Sequence, residues 1–104
     1  MDLSKLLNWY LEQCDGNWEH TYGFLIETLD NPGIRISIDL RGTKLEHEEL
    51  EPISTEMQTD DRWLYCCKTA ESRFEGASHP TQFGLLLEIF YRWEGEGQNR
   101  PPKD

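Results

Sequence analysis

Residues 14–40 read CDGNWEHTYGFLIETLDNPGIRISIDL, and the second half of this stretch decides the fold. Ile34, Ile36, Ile38 and Leu40 alternate with Arg35, Ser37 and Asp39. That period of two lets a strand bury one face and wet the other. Residues 20–29 read as a partner strand, with Tyr22, Phe24 and Ile26 inward and Leu25 and Glu27 outward. Asp30-Asn31-Pro32-Gly33 separates the two runs. In this turn Pro32 sets φ at one central position and Gly33 accepts a positive φ at the next. So short a connection joins the strands as an antiparallel hairpin.

Upstream, residues 3–13 form an amphipathic helix in which Leu3, Leu6, Leu7, Tyr10 and Leu11 recur at helical spacing and Trp9 lies off the stripe. Asp2 is placed to cap its start and Gly16 to stop it. Downstream, residues 41–50 connect to a third strand over Ile53–Gln58. A turn at Asp60-Asp61 leads to a fourth strand over Trp63–Thr69, and Ser72–Gly76 forms a short fifth. Pro80 opens a second helix with Ser78 or Thr81 as cap, and Phe83, Leu86, Leu87, Phe90 and Trp93 share its apolar face. Strands that run together between terminal helices indicate an α+β fold. The expectation is an antiparallel meander of four to five strands, with the N-terminal and C-terminal helices on one face. Residues 1–93 make a single domain, and residues 94–104 read as a disordered polar tail.

Twenty acidic residues against ten basic ones leave a net charge of −10. Such a chain is repelled by nucleic acid and by anionic membrane surfaces; its acidity permits a basic protein partner, or serves solubility alone. No apolar run is long enough to span a bilayer, and the N-terminus lacks the form of a signal peptide. Cys14, Cys66 and Cys67 have neither disulfide-framework nor Cys-x-x-Cys spacing, as expected of thiols in a reducing cytoplasm.

Trp18-Glu19-His20 concentrates three functional side chains where the first strand starts. His20 could act as a general base with Glu19 or Asp39, although neighbours on a strand point opposite ways. A structural junction between helix and sheet, or part of a binding surface, is the simpler reading. No metal-ligand spacing, phosphate loop or nucleophile elbow is present, so neither metal nor cofactor is expected. From Leu45 to Asp61 the chain carries seven acidic residues and no Lys or Arg: Glu46, Glu48, Glu49, Glu51, Glu56, Asp60 and Asp61. With Glu27 and Asp39 on an outward face, they could form a docking patch for a basic partner. Trp63 or Tyr65 would supply aromatic anchors.

The pattern Trp9-Tyr10, Cys14-Asp15-Gly16, Trp18-Glu19-His20, Tyr22-Gly23, Thr28 to Gly33 and Ile38-Asp39-Leu40 resembles the immunity protein 53 family. Asp60-Asp61 before Trp63, Cys66, Phe74-Glu75-Gly76 and the closing helix also fit, so the resemblance spans about residues 5–93. Ile34, where an aromatic is expected, and the outward Leu25 depart from the pattern. The resemblance implies a bacterial immunity protein that binds and neutralises the cognate toxin of a polymorphic toxin system. It carries no catalytic residue list. The motif residues Trp18, Glu19, His20, Gly23, Pro32 and Gly33 are read as structural. Glu27, Asp39, the acidic run and Trp63 are read as partner-binding. A stoichiometric inhibitor, monomeric and cytoplasmic, with a basic nuclease as the best-suited toxin, is the leading expectation. A small enzyme built on His20 and a small-ligand module are the alternatives.

Overall fold

The computed structural model describes residues 3–54 and 60–99. Asp2, Glu56 and the greater part of the expected third strand therefore lie outside the described residues. The elements in chain order are α1 (Ser4–Gln13), α2 (Trp18–Thr21), β1 (Phe24–Leu29), β2 (Gly33–Asp39), β3 (Ile53–Ser54), β4 (Leu64–Lys68) and β5 (Arg73–Ser78). A 3-10 turn over Pro80–Gln82 then leads into α3 (Phe83–Asn99). The fold is α+β, with five antiparallel strands and the N- and C-terminal helices packed on the sheet.

Strand order is β1-β2-β5-β4-β3. It is not one meander crossing the sheet in sequence order. The hairpin β1-β2 and the three-strand unit β3-β4-β5 join where β2 pairs with β5, Ile36 opposite Gly76 and Ile38 opposite Phe74. The core-facing row is the one that period two assigns. Ile36, Ile38, Leu64, Cys66 and Phe74 are buried on the helix side, with Phe24 and Ile26 packed partly against them.

The β1-β2 turn differs from the expected one. Residues 30–32 form the loop, the Asn31–Pro32 peptide is cis, and Gly33 already pairs with Leu29 as the first residue of β2. Gly33 is needed for space and not for a positive φ. A Cβ there would lie 2.7 Å from Asn31 Oδ1 and 3.0 Å from the Trp63 ring.

Helix α1 buries a different side from the one its leucines suggest. Leu6 and Trp9 are buried, whereas Leu3, Leu7 and Leu11 are 42%, 51% and 64% exposed. The indole of Trp9 wedges edge-on between Trp18 (6.3 Å) and Phe90 (5.4 Å). An aromatic buries more area than a leucine, and its edge-to-face contacts add to that gain. In α3, Phe90 sits 5.1 Å from Phe74 and 6.3 Å from Trp93, and Leu86 occupies the space that a Cβ on Gly76 would take.

The cap of the 3-10 turn that leads into α3 is His79, which accepts from Thr81 N–H at 3.2 Å, in place of Ser78 or Thr81. Helix α3 continues to Asn99, so residues 94–99 are helical where a disordered tail was expected. Once eleven residues are packed, each further turn adds hydrogen bonds without a new nucleation cost. Residues 100–104 lie outside the described residues. Among the described residues, no helix is long and apolar enough to cross a membrane.

Candidate functional site

Trp18-Glu19-His20 does not begin a strand; it is the helical turn α2. The local sequence folds this way because two carboxylates bond reciprocally to main-chain N–H groups. Asp15 Oδ1 accepts from Asn17 (2.9 Å) and Trp18 (2.8 Å), while Glu19 reaches back to Asp15 (3.0 Å) and Gly16 (2.9 Å). This is the reciprocal logic of a capping box. The Trp18 and Asn17 N–H groups hold the Asp15 carboxyl below its ordinary range. Glu19 is lowered likewise by its own N–H and those of Asp15 and Gly16.

Trp18 is buried, and its Nε1 donates to Arg41 O at 2.6 Å. The turn thus ties α1 to the connection after β2. His20 is exposed and Glu19 is occupied by the cap. Asp39 bonds Gly23 N–H (3.1 Å) and Arg73 Nε (3.0 Å). The general-base pairing of His20 with Glu19 or Asp39 is therefore not assembled. Gly23 has open space around its Cβ position and serves through that main-chain bond to Asp39.

Both large helices lie on one face, and among the described residues nothing covers the other face of the sheet. Its side chains follow from the register: Leu25, Ser37, Glu75 and Cys67 in one row, Glu27, Arg35, Ala77 and Tyr65 in the next, and Asp39 with Arg73. Glu27 and Asp39 point outward as expected, but neither is an unpaired charge. Arg35 bridges Glu27 (2.8 Å) and Glu75 (3.2 Å), Ser37 donates to Glu75 (3.0 Å), and Arg73 pairs with Asp39. Cross-strand pairs of opposite charge are what a wet antiparallel face favours. Tyr65 is 45% exposed and donates to Cys67 Sγ at 3.0 Å. Half-buried Trp63 lies against Gly33 at one end of this face.

The acidic run is divided by the fold. Glu46, Glu48, Glu49 and Glu51 lie on the β2-β3 connection, at the end of the sheet where β4 finishes. Asp60 and Asp61 lie at the opposite end, where β4 begins and where Asp61 O accepts from Thr81 Oγ1 (3.1 Å). Among the described residues, Asp39 shares the end of the sheet with Glu46–Glu51, and Asp60 and Asp61 lie apart from it.

The β2-β3 connection is pinned by its own carbonyls. Lys68 Nζ donates to Glu46 O and Glu48 O, each at 2.6 Å. Ser72 Oγ donates to Glu46 O (3.1 Å), and Trp93 Nε1 to Glu49 O (3.0 Å). Glu48, Glu49 and Glu51 line an open cleft of about 500 Å³ beside Lys68 and Thr69. The signal for Lys68 is in the sequence, since period two from Leu64 and Cys66 puts it on the helix side. A lone base there signals an internal acceptor. Among the described residues, no group of three or more His, Cys, Asp or Glu is placed to hold a metal ion.

No curated protein and no solved structure matches the chain. The family model of Immunity protein 53 matches residues 3–95, which takes in α1, the reciprocal Asp15-Glu19 turn, the whole sheet and most of α3, and the chain belongs to that family.

Proposed function

We propose that this protein protects its host by binding a cognate bacterial toxin stoichiometrically, without chemistry of its own. Family membership across residues 3–95 is the observation that carries this reading. The net charge of −10 favours a basic toxin, and a nuclease suits best because an enzyme that grips a polyanion presents a basic site. Within the acidic surface, the Glu46–Glu51 connection is the leading contact. Its backbone is already pinned by Lys68, Ser72 and Trp93, so little ordering is lost on binding. Asp60, Asp61 and Trp63 offer a second contact region at the other end of β4. Glu27 and Asp39 contribute less, because Arg35 and Arg73 already neutralise them.

Co-expression with a candidate cognate toxin tests the function: the wild-type chain restores growth. Replacing Glu48, Glu49 and Glu51 by Lys slows association by about tenfold to a thousandfold at low salt and flattens its salt dependence. Protection that survives this triple reversal, with association unchanged, excludes the connection as the contact. His20→Ala retains protection; its loss with toxin binding intact would favour an enzyme instead.

A further inference from the structure

The two edges of the sheet are guarded differently. β3, at one edge, covers Ile53–Ser54 among the described residues and follows Pro52 directly. β1, at the other, is the six-residue run FLIETL. Sheets protect an edge by shortness, inward charge, proline or a bulge. β3 is entered through a proline, and β1 has none of these. Its helix-side residues Phe24, Ile26 and Thr28 are uncharged, and Glu27 lies on the open face against Arg35. Asp39 N–H donates to Gly23 O, which sets the alternation along the hairpin. Leu25, Glu27 and Leu29 turn their main-chain groups to β2, and Phe24, Ile26 and Thr28 direct theirs outward. Among the described residues, no strand pairs with that side.

Above this edge runs α1. Trp9 and Lys5 face α3 through Phe90 and Tyr91, and Tyr10 meets Phe24 of β1 at 5.6 Å. At about 100° per residue, Leu3 and Leu7 lie next to Tyr10 on the flank of β1, and Leu11 turns farther from the sheet, opposite Trp9. Together the three leucines make an exposed ridge at i, i+4 and i+8. Residues 3–11 contain no acid.

We propose that this flank pairs two copies of the chain, β1 against β1 about a two-fold axis at Ile26, with the α1 ridges meeting above. The register is self-complementary. Ile26 faces Ile26 of the second copy, Phe24 faces its Thr28, and Leu25 faces its Glu27, so no like charges lie directly opposite. Two chains of −10 repel wherever acids meet, and this flank is apolar with its one strand carboxylate already paired. Six strand residues give a strip about 20 Å long. A helix about 10 Å across on top brings the patch to several hundred Å², the low end of what a specific interface buries per partner. The Glu46–Glu51 connection leads to the far edge, so pairing leaves it accessible on both copies.

Sedimentation equilibrium and amide exchange on the full chain test the pairing. The wild type reaches twice 12.3 kDa at about 100 µM. Exchange at Phe24, Ile26 and Thr28 slows about tenfold between dilute and concentrated protein. Leu7→Lys with Leu11→Lys, or Thr28→Lys alone, weakens association about a hundredfold, with melting temperature checked to confirm folding. Leu85→Lys on α3, at an equally exposed leucine, leaves it unchanged. A wild-type mass of 12.3 kDa up to about 1 mM overturns the proposal. So does a dimer indifferent to both flank variants. Toxin affinity of the Leu7/Leu11 variant is measured in parallel: if the toxin protects β1 and the variant loses it, the flank belongs to the toxin and self-pairing is wrong.

Discussion

Ser78 Oγ is fully buried and, among the described residues, has no hydrogen-bond partner. A desolvated hydroxyl without a partner costs free energy that an alanine does not. Ser78→Ala should therefore leave stability unchanged or raise it by up to about 1 kcal/mol, read from the urea midpoint. A loss of more than that would mean the hydroxyl has a partner. Gly42 is constrained in the opposite sense. Its φ is +78°, and a Cβ would lie 3.1 Å from Trp18 Cδ1, so only glycine suits both backbone and neighbour. Cys66, buried at an inner strand position with Cys67 beside it, has its thiol pushed up to about 11. The thiolate is the reactive form, which makes Cys66 a packing residue.

At the scale of elements, α2 and the β2-β3 connection are each held by a few named groups. Asp15 and Glu19 have folded-state pKa values below their ordinary range. A lowered carboxylate contributes stability above its unfolded value and loses it as pH falls through the folded one. Stability should thus decline on acidification through and below the ordinary carboxylate range, near pH 4. The Asp15→Asn/Glu19→Gln variant should show a shallower decline in thermal melts across that range. An unchanged slope would assign acid sensitivity elsewhere. For the connection, Lys68→Met removes a charged donor from two carbonyls and should cost about 1.5–3 kcal/mol. It should also open residues 41–52 to limited proteolysis while the sheet stays folded.

For the whole molecule, Phe90 is where both helices and the sheet meet, through Trp9, Phe74 and Trp93. Phe90→Ala should cost about 3–5 kcal/mol in denaturant titrations. A domain of this size has about 5–15 kcal/mol in total, so the variant would be near its unfolding threshold. A cost below about 1 kcal/mol would show that the neighbouring rings collapse into the space. The pair of layers also explains the distribution of charge. One face carries the core and the other a network of cross-strand ion pairs, and most of the remaining acids lie on the helices, the connection and the turns.

The sequence by itself determined the strand β2 and its inward row, the hairpin, the apolar face of α3, the α+β class and the family. Each is written in local periodicity, in turn residues or in an ordered motif. Other features were decided only by the tertiary structure. The apolar residues of α1 cover about 200° of the helix, wider than the side the sheet can receive. The fit of Trp9 against Trp18 and Phe90 chose which part is buried and left the leucine ridge outside. The pairing of β2 with β5 brings Arg35 and Ser37 to Glu75 across forty and thirty-eight residues of chain. Hydrophobic period two states which face a residue takes, but not which strand lies beside it. For the same reason the acidic run looked continuous in sequence: it lies on both sides of β3, and β3 pairs with β4 so as to carry its two parts to opposite ends of the sheet.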